Sequence, residues 1–124
     1  YPMPFNVAGR AALITGAASG IGHAFAKQLL RSGLRSLVAV DLSPSLPFVV
    51  EELQEEFPEA TLRHAVADVT DDAALEAAFD TKLDEPLTIV ANNAGIGGAD
   101  WRKTLAVDLT AVVAGASPAL FPLQ

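Results

Sequence analysis

A chain of 124 residues that is 51% hydrophobic, has no cysteine and carries a formal charge of −7 is one domain's worth of sequence. Its apolar content excludes a disordered chain, and the missing cysteines exclude disulfide scaffolds, thiolate metal sites and cysteine nucleophiles. The charge is uneven. Residues 51–85 hold 12 acids against Arg63 and Lys82, whereas residues 1–50 carry a net +3, so no dense basic stripe exists to displace counterions from nucleic-acid phosphates. Nucleic acid is not an expected partner, and the acidic block is expected to coat solvated helix faces.

Residues 1–9 lack the charged start and the apolar run of a secretory leader, and Pro2 and Pro4 interrupt them. Four short apolar runs then alternate with amphipathic segments. Ala11 to Thr15, Leu37 to Asp41, Thr61 to Ala67 and Leu87 to Asn92 have the length and continuity of strands buried on both faces. After the first run, Ile21, Ala24, Phe25, Gln28 and Leu29 follow a 3.6-residue period, and Ser32 with Gly33 closes the predicted helix. Val50, Leu53 and Phe57 mark a second helix stopped by Pro58. Thr70 is the expected N-cap of a third, with Asp71 and Asp72 at the positive end of its dipole and Leu75 and Phe79 inward.

Beyond the fourth run, Leu105, Leu109, Val112, Val113 and Ala116 define a fourth helix that Pro118 ends. Asp108 and Pro118 make the stretch from Leu105 to Leu120 a poor membrane span. No membrane association is expected, and a cytoplasmic location fits the missing cysteines.

Strand and helix alternating with short connections imply parallel strands joined by right-handed crossovers. The predicted fold is α/β, a Rossmann-type doubly wound parallel sheet in the order 3-2-1-4, truncated after about four strands. In such a sheet the ligand crevice lies beyond the carboxyl ends of the strands. Thr15-Gly16-Ala17-Ala18-Ser19-Gly20-Ile21-Gly22 stands there, with glycines 4 and 2 residues apart. Gly16 allows a sharp exit from the strand, Gly20 lets backbone N–H groups approach a pyrophosphate, and Gly22 lets the helix pack closely. The helix N-terminus, with Ser19 and Ile21 in its opening turn, faces the phosphates without needing a lysine. A phosphate-binding P-loop would end in Gly-Lys-Ser/Thr, which is absent, and a Rossmann-like methyltransferase would carry a tighter G-x-G.

Asp41 closes the second strand 19 residues after Gly22, where a carboxylate can accept both hydroxyls of an adenosine ribose. Its charge repels a 2′-phosphate, and neither Leu42 nor Ala17 and Ala18 supplies a cation, so NAD is expected over NADP. The competing reading is that Asp41 caps the Ser43-Pro44 turn. His23 and His64 are read as structural or surface residues.

The loop from Thr15 to Gly22, Asp41, Asp68-Val69 after the third strand and Asn92-Asn93-Ala94-Gly95 after the fourth resemble, in order, the motifs of the short-chain dehydrogenases/reductases. Trp101-Arg102-Lys103-Thr104-Leu105 resembles one branch of that family. The resemblance implies that Asp68 accepts from the adenine amino group, that Val69 contributes main-chain polarity, and that the segment Asn92 to Gly95, with Asn92, Ala94 and Gly95 as its cofactor-binding residues, braces the central strands and meets the ribose. It also implies that the helix with Leu109, Val112 and Val113 packs on a second subunit.

Two departures stand out. Asp108 occupies the place where the family has an asparagine in its proton relay, and an ionised carboxylate accepts but cannot donate. The Ser and the Tyr-x-x-x-Lys pair that the resemblance implies are not reached by Gln124, and no tyrosine stands four residues before a lysine, although hydride transfer needs a proton donor or acceptor at the substrate oxygen. The chain also begins with Tyr1 rather than methionine. Residues 1–124 are therefore expected to be one incomplete NAD-binding Rossmann domain of an oxidoreductase acting on an alcohol or carbonyl. The alternative is a catalytically inactive short form that binds nucleotide or docks on another subunit. In either case the fourth strand is expected to be an exposed edge, giving marginal stability or self-association.

Overall fold

The computed structural model describes residues 6–94. The predicted fourth helix, Gly95 and Asp108 lie outside the described residues, as does the association surface at Leu109, Val112 and Val113. Within them the order is β1 (Ala11–Thr15), α1 (Gly20–Arg31), β2 (Ser36–Asp41), α2 (Leu46–Glu56), β3 (Thr61–Val66), α3 (Asp72–Phe79) and β4 (Leu87–Asn92). The strands form one parallel sheet in the order β3-β2-β1-β4, the predicted topology. Its two central members are the most buried: all of β1, and β2 up to Val40, are buried. By contrast, β3 is buried only at Leu62 and no residue of β4 is fully buried, so the two outer strands depart from the burial on both faces that their sequences predict. β4 forms one edge among the described residues.

The sheet has a core on each face because successive strand residues point to opposite sides. Ala12, Ile14, Leu37, Ala39 and Leu62 pack with Ala26, Leu29 and Leu30 of α1 and with Leu46, Val50 and Leu53 of α2. Leu13, Val38 and Val40 face the other way, against Val69 and against Leu75 and Ala78 of α3. Two crossovers on one face and the third on the other make the sheet doubly wound.

Each helix ends for a local reason. α1 closes in a Schellman motif: Leu34 N–H donates to Leu29 O and Gly33 N–H to Leu30 O, both at 3.1 Å, and Gly33 takes the positive φ of +97° that this turn requires. α2 stops at Phe57, where Gln54 Nε2 donates to Phe57 O at 3.1 Å and Ala60 O at 2.9 Å, tying the helix end to the approach to β3.

Two local expectations are corrected. Thr70 does not cap α3. Its N–H and hydroxyl both donate to Asp68 Oδ1, at 2.9 and 2.7 Å, and Asp71 caps instead by accepting from Ala74 N–H at 3.2 Å. The inward stripe of α1 is also rotated from the predicted one. Gly22, Ala26, Leu29 and Leu30 are buried, while Ile21 is 80% and Phe25 40% exposed, because the helix approaches the sheet through Gly22. The acidic residues behave as expected: Glu51, Glu52, Glu55, Glu56, Glu59, Asp71, Asp72 and Glu76 are all exposed.

Candidate nucleotide site

The carboxyl ends of β1, β2 and β4 and the start of α1 meet at one place, and the glycines decide how. Gly16 (φ +70°) leaves β1 in a left-handed turn. A Cβ on it would lie 2.9 Å from Asn93 Nδ2 and 3.1 Å from the Ala94 backbone, and a Cβ on Gly22 would lie 2.1 Å from Gly16 O and 2.6 Å from Asn93 Nδ2. These two glycines therefore make room for the chain itself. Gly20 differs: it too has a positive φ, +61°, but nothing lies within 4 Å of where its Cβ would be. Its missing side chain leaves open space above the helix start.

That space is lined by donors. The first bond of α1 runs from His23 N–H to Ser19 O at 3.4 Å, so the N–H groups of Gly20, Ile21 and Gly22 have no partner in the helix ladder. Ser19 stands at the N-cap with an extended backbone, and its hydroxyl makes no capping bond. Ser19, Gly20 and Ile21 are exposed, whereas Ala17 is buried. Partial positive charge from the peptide dipoles collects at this end of the helix.

Asp41, half-buried at the end of β2, faces the same loop. Its Oδ2 accepts from Ala18 N–H at 2.9 Å and its Oδ1 from Ser43 N–H at 3.0 Å. The turn-capping reading of Asp41 is thus realised through Oδ1, while Oδ2 reaches across to the loop after β1. Ala17 N–H adds a backbone bond to Val40 O at 3.3 Å.

On the other side of β1, Thr15 pairs with Asn92 in the sheet register. The buried Thr15 hydroxyl donates to Ala91 O at 3.4 Å and accepts from Ala94 N–H at 3.1 Å. Asn93 Nδ2 donates to Gly16 O at 3.3 Å. Asp68 is exposed beyond β3, and Val69 is buried in the core beneath α3.

The structure thus gathers Gly16, Ser19, Gly20, Ile21, Gly22, Asp41, Asn92 and Ala94 at one end of the sheet, with Asp68 and Val69 after the strand beside β2. Thr15, Ala18 and Ser43 are not site residues in the sequence reading, and Asn93 enters it only as part of the bracing segment Asn92 to Gly95. For Thr15 and Asn93 the available signal was a hydroxyl closing an otherwise apolar strand and a second amide beside Asn92. Among the described residues, no group of three or more His, Cys, Asp or Glu could hold a metal ion, and no helix is long and apolar enough to cross a membrane.

Residues 10–123 match the family model for short chain dehydrogenase. 15-hydroxyprostaglandin dehydrogenase [NAD(+)] of Bos taurus is 39% identical over 115 residues, which are 89% of this chain and 42% of that protein; the human protein of the same name matches equally. The chain therefore spans less than half the length of the curated relatives it matches. Among solved structures, a short chain dehydrogenase/reductase from Burkholderia phymatum in complex with NAD superposes with a TM-score of 0.82 at 29% identity, covering 92% of this chain and 44% of that one. L-sorbose reductase from Gluconobacter frateurii, complexed with NADPH and L-sorbose, gives 0.81 at 26% identity over 94% and 48% of the two chains.

Proposed function

The chain belongs to the short chain dehydrogenase family, and from that premise we propose that residues 1–124 are part of a single NAD-binding domain whose site serves hydride transfer between NAD(H) and an alcohol or carbonyl. The observation that carries this reading is the juxtaposition at Gly20: unpartnered first-turn amides, open space where a side chain would stand, and the Asp41 carboxylate across the loop. This arrangement fits an anionic pyrophosphate next to a ribose.

In the proposed binding mode the N–H groups of Gly20, Ile21 and Gly22 hold the pyrophosphate, with the Ser19 hydroxyl beside them. A carboxylate offers about four lone-pair sites. Two on Asp41 are taken by Ala18 and Ser43, which leaves two for the vicinal hydroxyls of the adenosine ribose. Asp68 and Val69 border the adenine end, and Asn92, Ala94 and Gly95 the end nearer the nicotinamide ribose. Bound NAD would supply the hydride acceptor; the residues of this chain bind and orient it.

NAD is preferred over NADP in this proposal because a 2′-phosphate would stand against the Asp41 charge, with the uncharged Ala17, Ala18 and Leu42 around it. We further place the protein in the cytoplasm, with association through the sequence-predicted helix of Leu109, Val112 and Val113, and assign Asp108 to the position of the family's relay asparagine.

Calorimetric titration of the chain tests the reading. Saturable binding of NAD, with NADP at least about tenfold weaker and no binding of S-adenosylmethionine, is expected. Absence of NAD binding, or binding of S-adenosylmethionine alone, overturns it.

A further inference from the structure

The Asp41 carboxylate is held by two hydrogen bonds within the chain. Oδ2 holds Ala18 N–H of the loop after β1, and Oδ1 holds Ser43 N–H of the turn after β2. Ala18 lies two residues before Gly20, between two glycines of positive φ, in a segment whose other tie to β2 is the 3.3 Å bond from Ala17 N–H to Val40 O. With glycines at both hinges the loop has little intrinsic preference for one conformation, and a hydrogen bond to a charged acceptor is stronger than one between neutral groups.

We infer that Asp41 is a positioning residue for the pyrophosphate-binding loop, acting through Ala18, in addition to the ribose-hydroxyl acceptor of the proposed function on which this inference rests. The two roles do not compete, since the bonds to Ala18 and Ser43 use two of about four lone-pair sites. A consequence separates this role from simple ribose recognition. Electrostatics alone predicts that removing the Asp41 charge strengthens binding of any anionic ligand without ribose hydroxyls. If Asp41 holds the loop, removing it weakens that ligand as well, and deleting the charge does not by itself convert the site to NADP.

The probes are ADP and 2′,3′-dideoxy-ADP, titrated into the 124-residue chain and its Asp41→Ala variant, with amide hydrogen exchange read in the ligand-free proteins. Expected are weaker binding of both nucleotides to the variant, the dideoxy analogue by about tenfold, and at least about tenfold faster exchange at Ala18 with Ala17 unchanged. Dideoxy-ADP binding that is unchanged or stronger in Asp41→Ala, with Ala18 exchange unaltered, overturns the inference. Should Asp41→Ala unfold, seen as lost protection at Leu13 and Val38, Asp41→Val gives the same reading, since its branched side chain suits the end of a strand but offers no acceptor to either N–H donor. A wild-type chain that binds neither nucleotide overturns the proposed function instead, and Ala18 exchange still decides the loop-holding role.

Discussion

The two ends of this sheet are closed by different means. At the amino end the bonds are mostly backbone to backbone: Gly9 N–H to Gly33 O, Arg35 and Ser36 N–H to Arg10 O, Thr61 N–H to Arg35 O. The buried Ser36 hydroxyl adds a side-chain bond to the Glu85 carboxylate, and Gln54 holds the approach to β3. At the carboxyl end the strand tips are joined by side chains that reach backbone groups of a neighbouring segment: Asp41 to Ala18, Thr15 to Ala91 and Ala94, Asn93 to Gly16. Backbone groups that pair with each other have little capacity left for a ligand. Carboxylates and first-turn amides keep some, which is why the second arrangement can hold the ends together and still bind.

The largest effect separating the ends is expected at Gly22. A Cβ there would sit 2.1 Å from the backbone oxygen of Gly16, which cannot yield alone, and 2.6 Å from Asn93 Nδ2, the tip of a side chain that is itself bonded to that oxygen. Gly22→Ala must push α1 off the sheet and spread the loop, destabilising the chain by about 3 kcal/mol. NAD binding is lost with it. Thermal unfolding and titration together measure this; a variant of wild-type stability and affinity would break the picture of a close-packed carboxyl end.

Thr15→Val comes next. It keeps the shape but leaves the Ala94 N–H without its acceptor, for a loss of about 1–2 kcal/mol and weaker NAD binding through the displaced Asn93-Ala94 turn, while Thr15→Ser restores both. Ser36→Ala is the matching change at the other end. The loss is about 1 kcal/mol, since the half-exposed Glu85 can rehydrate, and the affinity for NAD stays at the wild-type value. If Ser36→Ala weakened NAD as much as Thr15→Val does, the division between the two ends would fail.

Most of this fold was legible because β1 and β2 are buried on both faces and read as nearly continuous apolar runs, and because β4 keeps an apolar run at the edge; β3, with Arg63 and His64, is buried only at Leu62. β1 and β4 fall at the predicted boundaries, and the glycine spacing placed the start of α1. The orientation of α1 was not legible. A glycine carries no hydrophobic signal, so the buried position of Gly22 could not be seen, and the exposed Ile21 and Phe25 took its place in the predicted stripe. Thr70 looked like a cap because its hydroxyl is a capping group by type, yet Asp68, two residues earlier, had first claim on it. At the candidate site, the residues proposed to touch a ligand come from motif spacing. Those that hold it in shape, Thr15, Asn93 and the Ala18 amide, act through partners 23 to 79 residues away, and a linear sequence does not display such pairs.

The smallest expected effect concerns Glu56, the last residue of α2. Its carboxylate lies 3.4 Å from Lys27 Nζ and 3.7 Å from Arg31 Nη2 of α1, pinning the two helices of one face together away from the candidate site. All three side chains are substantially exposed, so water and salt screen the attraction and each pair contributes only tenths of a kcal/mol. A negative charge at a helix C-terminus also opposes the helix dipole, and Glu56→Gln removes that penalty together with the two attractions. The terms have opposite signs and similar size. The net change is expected below about 0.5 kcal/mol, shrinking further as ionic strength rises, with NAD affinity unchanged. Unfolding midpoints of Glu56→Gln and wild type at low and high salt check this, and a loss above about 1 kcal/mol at high salt would mean that α1 and α2 are joined at Glu56 by more than screened charges.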